Sequence, residues 1–470
     1  MNASAVPARR FDAQGRPHVD LRALLALALP LFVNSTLQAV LNLTDTWFVG
    51  RLSSTAVAAV GATYWLVLGL LLLVGGVGMV VQSFAAQAQG AGRHARASHA
   101  TWQGLWCAIL SVPLFLLLSM ADRLLIPAMR LDPEIARLGA EYWGPRLLGG
   151  PLAVALWALL SFFMGVGRVG VALTVNVAVA LVNAAANAVF IFGLGWGVAG
   201  AAWATDLSLL VGVACALLLF LSGGVRRQYA SHRTWRFRGR TVRTLVTVGL
   251  GAGAAIAFDL LGLSLFQVMM TQLGAVEGAA TQIAMMLTSI AYMPAVGLGM
   301  AGTTLVGQAI GAGDRAWATR LGNVTILLAM GYMGTIGVVL AAAGPWVVPF
   351  FLAAGDAQAA DVMALGTTLL WFAAAYQAFD GLNIGSGFSL RAAGDTRVPA
   401  MLLALLSLGV FVPLAHTLAF GPGQGWVDWA PTLGLGAAGG WAAAVVYVGL
   451  LGSTLFVRWR TGAWQRIRLG

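Results

Sequence analysis

The sequence predicts an all-α integral membrane protein: twelve transmembrane helices in two pseudo-symmetric six-helix bundles. Three observations carry that prediction. Of the 470 residues, 59% are hydrophobic and only 9% charged, whereas a soluble domain is nearer 25% charged. Mean hydropathy is +0.85, and the apolar residues fall in helix-length runs able to cross a hydrocarbon core of roughly 30 Å. The second half of the chain also repeats motifs of the first.

In chain order, residues 1–20 are polar, carry Arg9, Arg10 and Arg16, and read as a short cytoplasmic tail. The apolar run that follows is too long for a signal peptide and lacks a small-residue cleavage site, so it is expected to be retained. Spans are predicted at 21–50, 54–86, 98–121, 136–165, 169–193 and 196–222, which form an N-terminal lobe over 21–222. A basic cytoplasmic linker, 223–242, precedes a second lobe, 243–457, with spans at 243–273, 277–309, 318–350, 360–390, 396–420 and 434–457. Residues 458–470 are a second cytoplasmic tail.

All 27 basic residues are arginine, and sorting them by side tests the topology. One side takes 22, including the cluster Arg226, Arg227, Arg233, Arg236, Arg238, Arg240 and Arg243; the other takes 5, namely Arg51, Arg123, Arg130, Arg137 and Arg146. By the positive-inside rule this places both termini in the cytoplasm of an inner-membrane protein, which requires an even number of spans. The net charge of +11 thus reflects loop topology rather than a nucleic-acid groove, and no nucleic acid is expected as a partner. Cys107 and Cys215 lie in apolar spans, which argues against a structural disulfide.

The repeat is direct. GVGMVVQSFAAQAQGAGRHARA from Gly76 aligns without gaps on GLGMAGTTLVGQAIGAGDRAWA from Gly297, with ten of 22 positions identical, including Gln87/Gln308 and the Gly90–Gly92/Gly311–Gly313 turns. Weaker matches pair Phe162 onward with Phe388 onward, and LGWGVAGAAWA from Leu194 with LGLGAAGGWAA from Leu433. Six spans per half make the repeat parallel, and transporters so built hold substrate between the lobes.

Polar residues within spans single out the chemistry. On span one Asn34, Gln38, Asn42 and Asp45 are spaced 4, 4 and 3, one stripe of a helix, and Pro30 lies one turn earlier, where it can kink the helix. An acid at membrane depth costs about 2.5–3.5 kcal/mol on insertion scales, so Asp45 is the first functional candidate. Span five carries Asn176, Asn183 and Asn187 on one stripe, and span ten carries Tyr376, Asp380 and Asn383 at i, i+4, i+7. Sorted by depth, the 16 acids leave four set into spans rather than at their ends or in loops, Asp45, Asp206, Asp259 and Asp380, and no arginine is placed deep in any span. Such acids attract cations and repel anions. Oxygens on one helix face suit a hard cation; a desolvated carboxylic acid can instead hold a proton. Asn stripes also glue helices together. Asp206 lies near the start of span six, either as an interfacial charge or as a further site. His416 reads as a packing residue. Met269, Met270, Met285, Met286, Met293 and Met300 cluster in spans seven and eight as an adaptable contact surface or ordinary core, with Met269 and Met286 the candidates for substrate contact.

Four stretches resemble the multidrug and toxic compound extrusion (MATE) family, in family order over most of 21–457: LTDTWFVGRLS, NAVFIFGLGWGVAGAAWAT, GQAIGAGD and LNIGSGFSLRAAGDTRVP. The resemblance implies a V-shaped pair of bundles exporting organic cations in exchange for Na⁺ or H⁺, with the acid at Asp45 coupling cations in the N-terminal lobe. Tyr376-Gln377-Ala378-Phe379-Asp380 matches the YQxxD pattern, and Asp259 stands where the NorM-like branch has Glu, shorter by one methylene. Asn187 replaces the Asp of the DinF-like branch. A second cation site at Asp259, Tyr376 and Asp380 is thereby implied.

The function expected is a cation-coupled antiporter that needs no cofactor beyond the transported Na⁺ or H⁺, takes small organic cations, and works as a monomer in the bilayer. Asn34, Gln38, Asn42, Asn176, Asn183, Asn187 and Asn383 are the expected cavity residues. Both ions remain open, with Na⁺ favoured because two carboxylates and a phenol can engage it together. The alternative on a related fold is a flippase for lipid-linked oligosaccharides, whose diphosphate would need basic residues in the cavity. An enzyme is not expected, since no nucleophile–base pair, His-metal cluster or HExxH occurs, and no GxxxxGK[ST] supports an ATP-driven pump.

Overall fold

The computed structural model describes residues 7–129, 131–352, 358–427, 431–467 and 469, without the side chains of residues 39, 40, 42, 43, 54 and 128. Span one is α1 (Leu21–Gly50), capped by Asp20, whose carboxylate accepts from the Arg22 and Ala23 N–H groups; such caps satisfy amides that the first turn leaves free. Span two is α2 (Ser54–Met79) continued past Val80 by α3 (Val81–Gly90). Span three is broken into α4 (His94–Leu110), α5 (Val112–Ser119) and α6 (Asp122–Ala128), and its apolar stretch runs to Pro127 rather than ending at 121. Span four is α7 (Pro133–Leu148) and α8 (Gly150–Gly165), bent by 45°. At Gly149, between them, a Cβ would stand 1.8 Å from Asp206 Oδ1, so only glycine fits. Span five, α9 (Val169–Asn187), ends in a π-helical turn over Ala188–Gly193, and α10 (Gly197–Phe220) closes the lobe.

The linker is not featureless: it holds α11 (Gly223–Tyr229), and α12 (Gly239–Leu273) starts inside its predicted bounds. The second lobe continues with α13 (Ala275–Gly311), α14 (Arg315–Val347), α15 (Ala359–Ala392), α16 (Arg397–Leu406), a π-helical turn at Ser407–Phe411, α17 (Val412–Ala419) and α18 (Gly436–Arg460). Among the described residues eleven helical stretches are long and apolar enough to span a bilayer, and the bent pair makes twelve. The chain is an all-α membrane protein of the predicted class.

The repeat is visible in backbone geometry. Left-handed glycines recur in pairs: Gly92 (φ 68°) with Gly313 (84°), Gly167 (81°) with Gly394 (83°), Gly195 (69°) with Gly434 (68°), and Gly197 (57°) with Gly436 (62°). Only glycine takes this conformation without steric cost. The Gly167/Gly394 pair corrects one alignment: it matches Phe162 with Ser389, one residue beyond the Phe388 that sequence similarity selects. Hydrogen bonds agree, since Thr304 and Gln308 donate to the Met164 and Gly165 carbonyls while Ser83 and Gln87 donate to those of Arg391 and Ala392.

These bonds cross between lobes, where α1 packs along α13, α2 along α12, and α3 on α13. The approach is closest at two symmetry-related points: a Cβ on Gly90 would lie 1.8 Å from the Gln308 carbonyl oxygen, and one on Gly311 would lie 1.9 Å from that of Gln87. Both points adjoin the GAG turns, on the end of the molecule that carries the termini. The lobes are therefore closed against each other at that end.

The N-terminal segment, expected as a plain tail, forms an antiparallel hairpin of β1 (Arg9–Phe11) and β2 (Pro17–Val19). It docks on the second lobe. Arg9 pairs with Asp314 and lies 4.5 Å over the Trp317 ring, Trp317 Nε1 donates to the Pro7 carbonyl at 3.0 Å, and Arg320 donates to the Pro17 carbonyl at 2.8 Å. Burial opposes the Asp314 charge, but the Trp317 N–H and the Arg9 guanidinium outweigh it and hold that carboxyl below its usual range. A depressed carboxylate contributes its stability at neutral pH and loses it as pH falls through the folded value. Asp314→Asn should therefore release the hairpin at pH 7, raising amide exchange at residues 9–19 several-fold with little change in the transmembrane helices; unchanged exchange would show that Asp314 does not hold it.

Candidate functional site

Each lobe contains a polar cluster built around the predicted residues. In the N-terminal lobe the stripes of α1 and α9 face each other. Asn176 Nδ2 donates to Asn34 Oδ1 at 2.5 Å, and Asn187 Nδ2 donates to Asp45 Oδ1 at 2.6 Å and to Asn183 Oδ1 at 3.1 Å. Asn183 Nδ2 reaches Thr205 Oγ1 on α10 at 3.4 Å. Asp45 is half-buried, and Asn187 Oδ1 is a buried acceptor with no donor. A π-helical turn begins directly after Asn187, a feature frequent at functional positions.

This arrangement corrects the expectation for span five. Asn176, Asn183 and Asn187 are buried rather than set on an open wall, because an amide in an apolar interior needs a partner and finds it on α1 or α10. Gln38 is exposed, and the Asn42 side chain lies outside the described residues.

The deep charges are also not all acidic. Arg146, in the last turn of α7, has a side chain only 17% exposed and stands 3.7 Å from Asp206. The bend at Gly149 turns this arginine inward beside α10, which loop counting could not foresee. Asp206 is thus a buried partner of Arg146. Removing one member of such a pair strands the other and typically costs about 3–5 kcal/mol.

The second lobe holds a partly open cavity of about 200 Å³ lined by Asp259, Phe266, Met285, Thr288, Ser289, Tyr292, Tyr376, Gln377, Asp380 and Trp441 among others. The structure brings Asp259, Tyr376 and Asp380 together around it. Tyr447 on α18 donates its hydroxyl to Asp259 Oδ1 at 3.0 Å, and Asn383 Nδ2 donates to Asp380 Oδ1 at 3.0 Å. Asn383 is absent from the cavity wall; one turn along α15, its amide is spent orienting Asp380. Phe411, closing the second π-helical turn, stacks on Tyr447 at 4.8 Å, and Ser407, opening that turn, donates to the Phe258 carbonyl at 3.3 Å. An aromatic wall completes the cavity, with Trp441 edge-on to Phe266 at 5.9 Å and to Tyr376 at 6.5 Å. Gln377 Oε1 is buried without a donor. No basic side chain lines this cavity among the described residues.

The methionines divide. Met269 and Met270 are fully buried core, Met286 is 54% exposed and off the cavity wall, and Met285 and Met333 line it. Met269 as a substrate contact is therefore corrected. Met269→Ala should lower stability by about 2–5 kcal/mol, whereas Met285→Ala should alter transport with less than half that loss; thermal unfolding and dye efflux on both variants separate the two roles. His416 is buried and accepts from the Trp426 N–H at 2.9 Å, a satisfied packing residue.

The family model described as MatE matches residues 30–189 and 240–417, one segment in each lobe and together well over half the chain. The chain belongs to the MatE family. A probable multidrug resistance protein NorM of Mesorhizobium japonicum is 31% identical over 422 residues, covering 85% of this chain and 87% of that one. The multidrug resistance protein NorM of Burkholderia vietnamiensis is 31% identical over 433 residues, covering 89% and 91%. Two solved structures share the fold at low identity: an outward-facing multidrug resistance MATE family transporter (TM-score 0.78, 20% identity, covering 93% of this chain and 94% of that chain) and a MOP superfamily transporter from Pyrococcus furiosus (0.77, 21%, 93% and 94%). The protein is a NorM-type multidrug efflux transporter of the MATE family, integral to the membrane.

Sequence reading missed the supporting shell of this transporter. Tyr447, Tyr292 and Trp441 lie on two helices other than α12 and α15 around Asp259, and no spacing along the chain links them to it, whereas Gln377 was legible only as part of the YQxxD pattern. Thr205 could have been found from its adjacency to Asp206, and Arg146 from lying ten residues inside the predicted span 136–165.

Proposed function

We propose that this transporter is a monomeric, cation-coupled antiporter that expels amphipathic organic cations by alternating access, with both termini in the cytoplasm of a bacterial inner membrane. The observation that carries the reading is the second-lobe cavity: two carboxylates, two phenols and the Gln377 amide converge with aromatic faces and no arginine. Its volume of about 200 Å³ is below the roughly 300–1,000 Å³ of drug-sized sites. It therefore suits the coupling ion, with the substrate held between the lobes, where transporters built from a parallel repeat bind it.

Asp259 and Asp380 facing one cavity cannot both stay charged and unpaired, so they share a proton or hold a cation. Sodium can engage both carboxylates and the Tyr376 oxygen, which line the same cavity, and this favours Na⁺. In the first lobe Asp45 and the unpartnered Asn187 Oδ1 supply a second coupling position. The 17 tryptophans offer stacking and cation–π surfaces, which favour a cationic, partly aromatic substrate. A flippase for lipid-linked sugar diphosphates is the other reading of the fold, and the acidic lining counts against it.

Efflux from proteoliposomes should accelerate at least several-fold when Na⁺ alone is raised outside at fixed pH, and Asp259→Asn or Asp380→Asn should remove that response. Efflux indifferent to Na⁺ but driven by a pH step would assign the proton instead. Translocation of a sugar-diphosphate lipid with no efflux of ethidium-type cations would replace the antiporter with the flippase.

A further inference from the structure

The linker between lobes and the first turns of α12 carry seven arginines, at 226, 227, 233, 236, 238, 240 and 243, over eighteen positions. Its backbone does not hang free. Four side chains of α4 hold it: Ser98 donates to the Tyr229 carbonyl at 2.6 Å, Trp102 to Ser231 at 2.6 Å, Gln103 to Arg236 at 2.8 Å and Trp106 to Trp235 at 2.8 Å. The Gln103 oxygen in turn accepts from the Arg238 N–H at 2.8 Å. Tyr229 and Ser231 are buried against the lobe, but with the carbonyls of Trp235 and Arg236 turned onto α4, residues 235–240 present their side chains outward. Trp235 and Phe237 are 53% and 52% exposed, and Arg233, Arg236, Arg238 and Arg240 are exposed around them. None of these four arginines takes part in the ion pairs of the described residues, which involve Arg9, Arg10, Arg137, Arg146 and Arg458.

We propose that this strip is a binding site for anionic phospholipid headgroups. Position selects the occupant. Trp106, which holds Trp235, lies within the apolar stretch His94–Pro127, so the linker runs alongside a membrane-spanning helix for about 12 Å between Ser98 and Trp106. Exposed indole and phenyl rings at that depth sit at the boundary of the acyl chains, and arginines beside them reach the headgroup layer. A guanidinium engages a phosphate through two parallel hydrogen bonds. Four unneutralised arginines flanking two apolar anchors thus match a phosphodiester with an acyl tail, and a zwitterionic headgroup matches them poorly. The linker leads directly into α12, which packs against α2 of the other lobe, so a lipid held here steadies the joint between lobes.

The test is native mass spectrometry of the full-length transporter with added phosphatidylglycerol or phosphatidylcholine. The wild type should retain phosphatidylglycerol preferentially. Each arginine near an anionic surface contributes about fivefold, so Arg233→Gln/Arg236→Gln/Arg238→Gln/Arg240→Gln should weaken phosphatidylglycerol binding at least 100-fold while sparing phosphatidylcholine. The matching fourfold Arg→Lys variant keeps the charge and should retain most of the preference, and its melting temperature controls for folding. Glycerol phosphate at equal concentration should not compete, because it lacks the acyl chains that the rings take. A wild type that binds both lipids alike, a Gln variant with the wild-type preference, a Lys variant as weak as the Gln variant, or full competition by glycerol phosphate would each overturn the assignment.

Discussion

Asp45→Asn should abolish coupled efflux while leaving the transporter folded and inserted. Asn has nearly the volume of Asp and keeps an oxygen for Asn187 Nδ2, which donates to Asp45 at 2.6 Å, so the hydrogen-bond chain through Asn183 to Thr205 survives. What disappears is the exchangeable charge. One elementary charge moved through 100 mV supplies about 2.3 kcal/mol, or roughly a 50-fold substrate gradient. A variant without a coupling charge in this lobe should lose that accumulation and at most equilibrate its substrate. Asp206→Asn makes the contrast. It strands Arg146 in a buried site, so it should lower thermal stability by about 3–5 kcal/mol, and any fall in efflux should track the fall in folded protein. The measurement is dye accumulation in everted vesicles, normalised to folded transporter. Wild-type accumulation by Asp45→Asn would remove this residue from the coupling mechanism.

How much of this was legible in the sequence follows from the range of each interaction. Helix positions, the repeat and the glycine turns are local properties of hydrophobic run length, spacing and conformational preference, and α1 coincides with its predicted bounds. The stripes on α1 and α9 were also legible, since helical periodicity fixes which residues share a face. Periodicity does not say what a face meets. Asn34 meets Asn176, and Asp45 meets Asn187, so residues read as cavity lining turn out to join two helices. Counting arginines by side places Arg146 on the external side although it falls within the predicted span 136–165, because such counting does not register how deep in a span a residue sits. The bend beside Gly149 places it inside. Tyr447 and Asn383 show the same limit in the second lobe: each orients a carboxylate, and only three-dimensional packing brings Tyr447 to Asp259. The N-terminal hairpin was hidden for another reason. Its strands are three residues each, too short for alternation to register, and its stability comes from Asp314 and Trp317 some 300 positions away.

Gly90→Ala and Gly311→Ala should each force the lobes apart at the end carrying the termini. The added Cβ atoms would lie 1.8 Å and 1.9 Å from the Gln308 and Gln87 carbonyl oxygens, far inside van der Waals contact, and the opposing atoms are backbone that no rotamer change can move. Overpacking of this kind costs about 1–3 kcal/mol, which shifts a two-state equilibrium about 5- to 150-fold away from the closed arrangement. The lobes are joined here by Gln87 and Gln308 donating to carbonyls of the opposite lobe, so a rigid separation breaks both bonds together and the two substitutions should reinforce each other. An alternating transporter needs this state in every cycle. Efflux should therefore fall at least tenfold in the double variant, with both lobes still folded. Spin labels at the exposed positions Arg93 and Arg315, in a background lacking Cys107 and Cys215, should report a longer distance in the variant than in the parent. Gly170→Ala supplies the control, since nothing lies within 4 Å of its added carbon, and it should leave both distance and efflux unchanged. An unaltered Arg93–Arg315 distance in the double variant would mean that the crossing of α3 and α13 does not set the closure of the lobes.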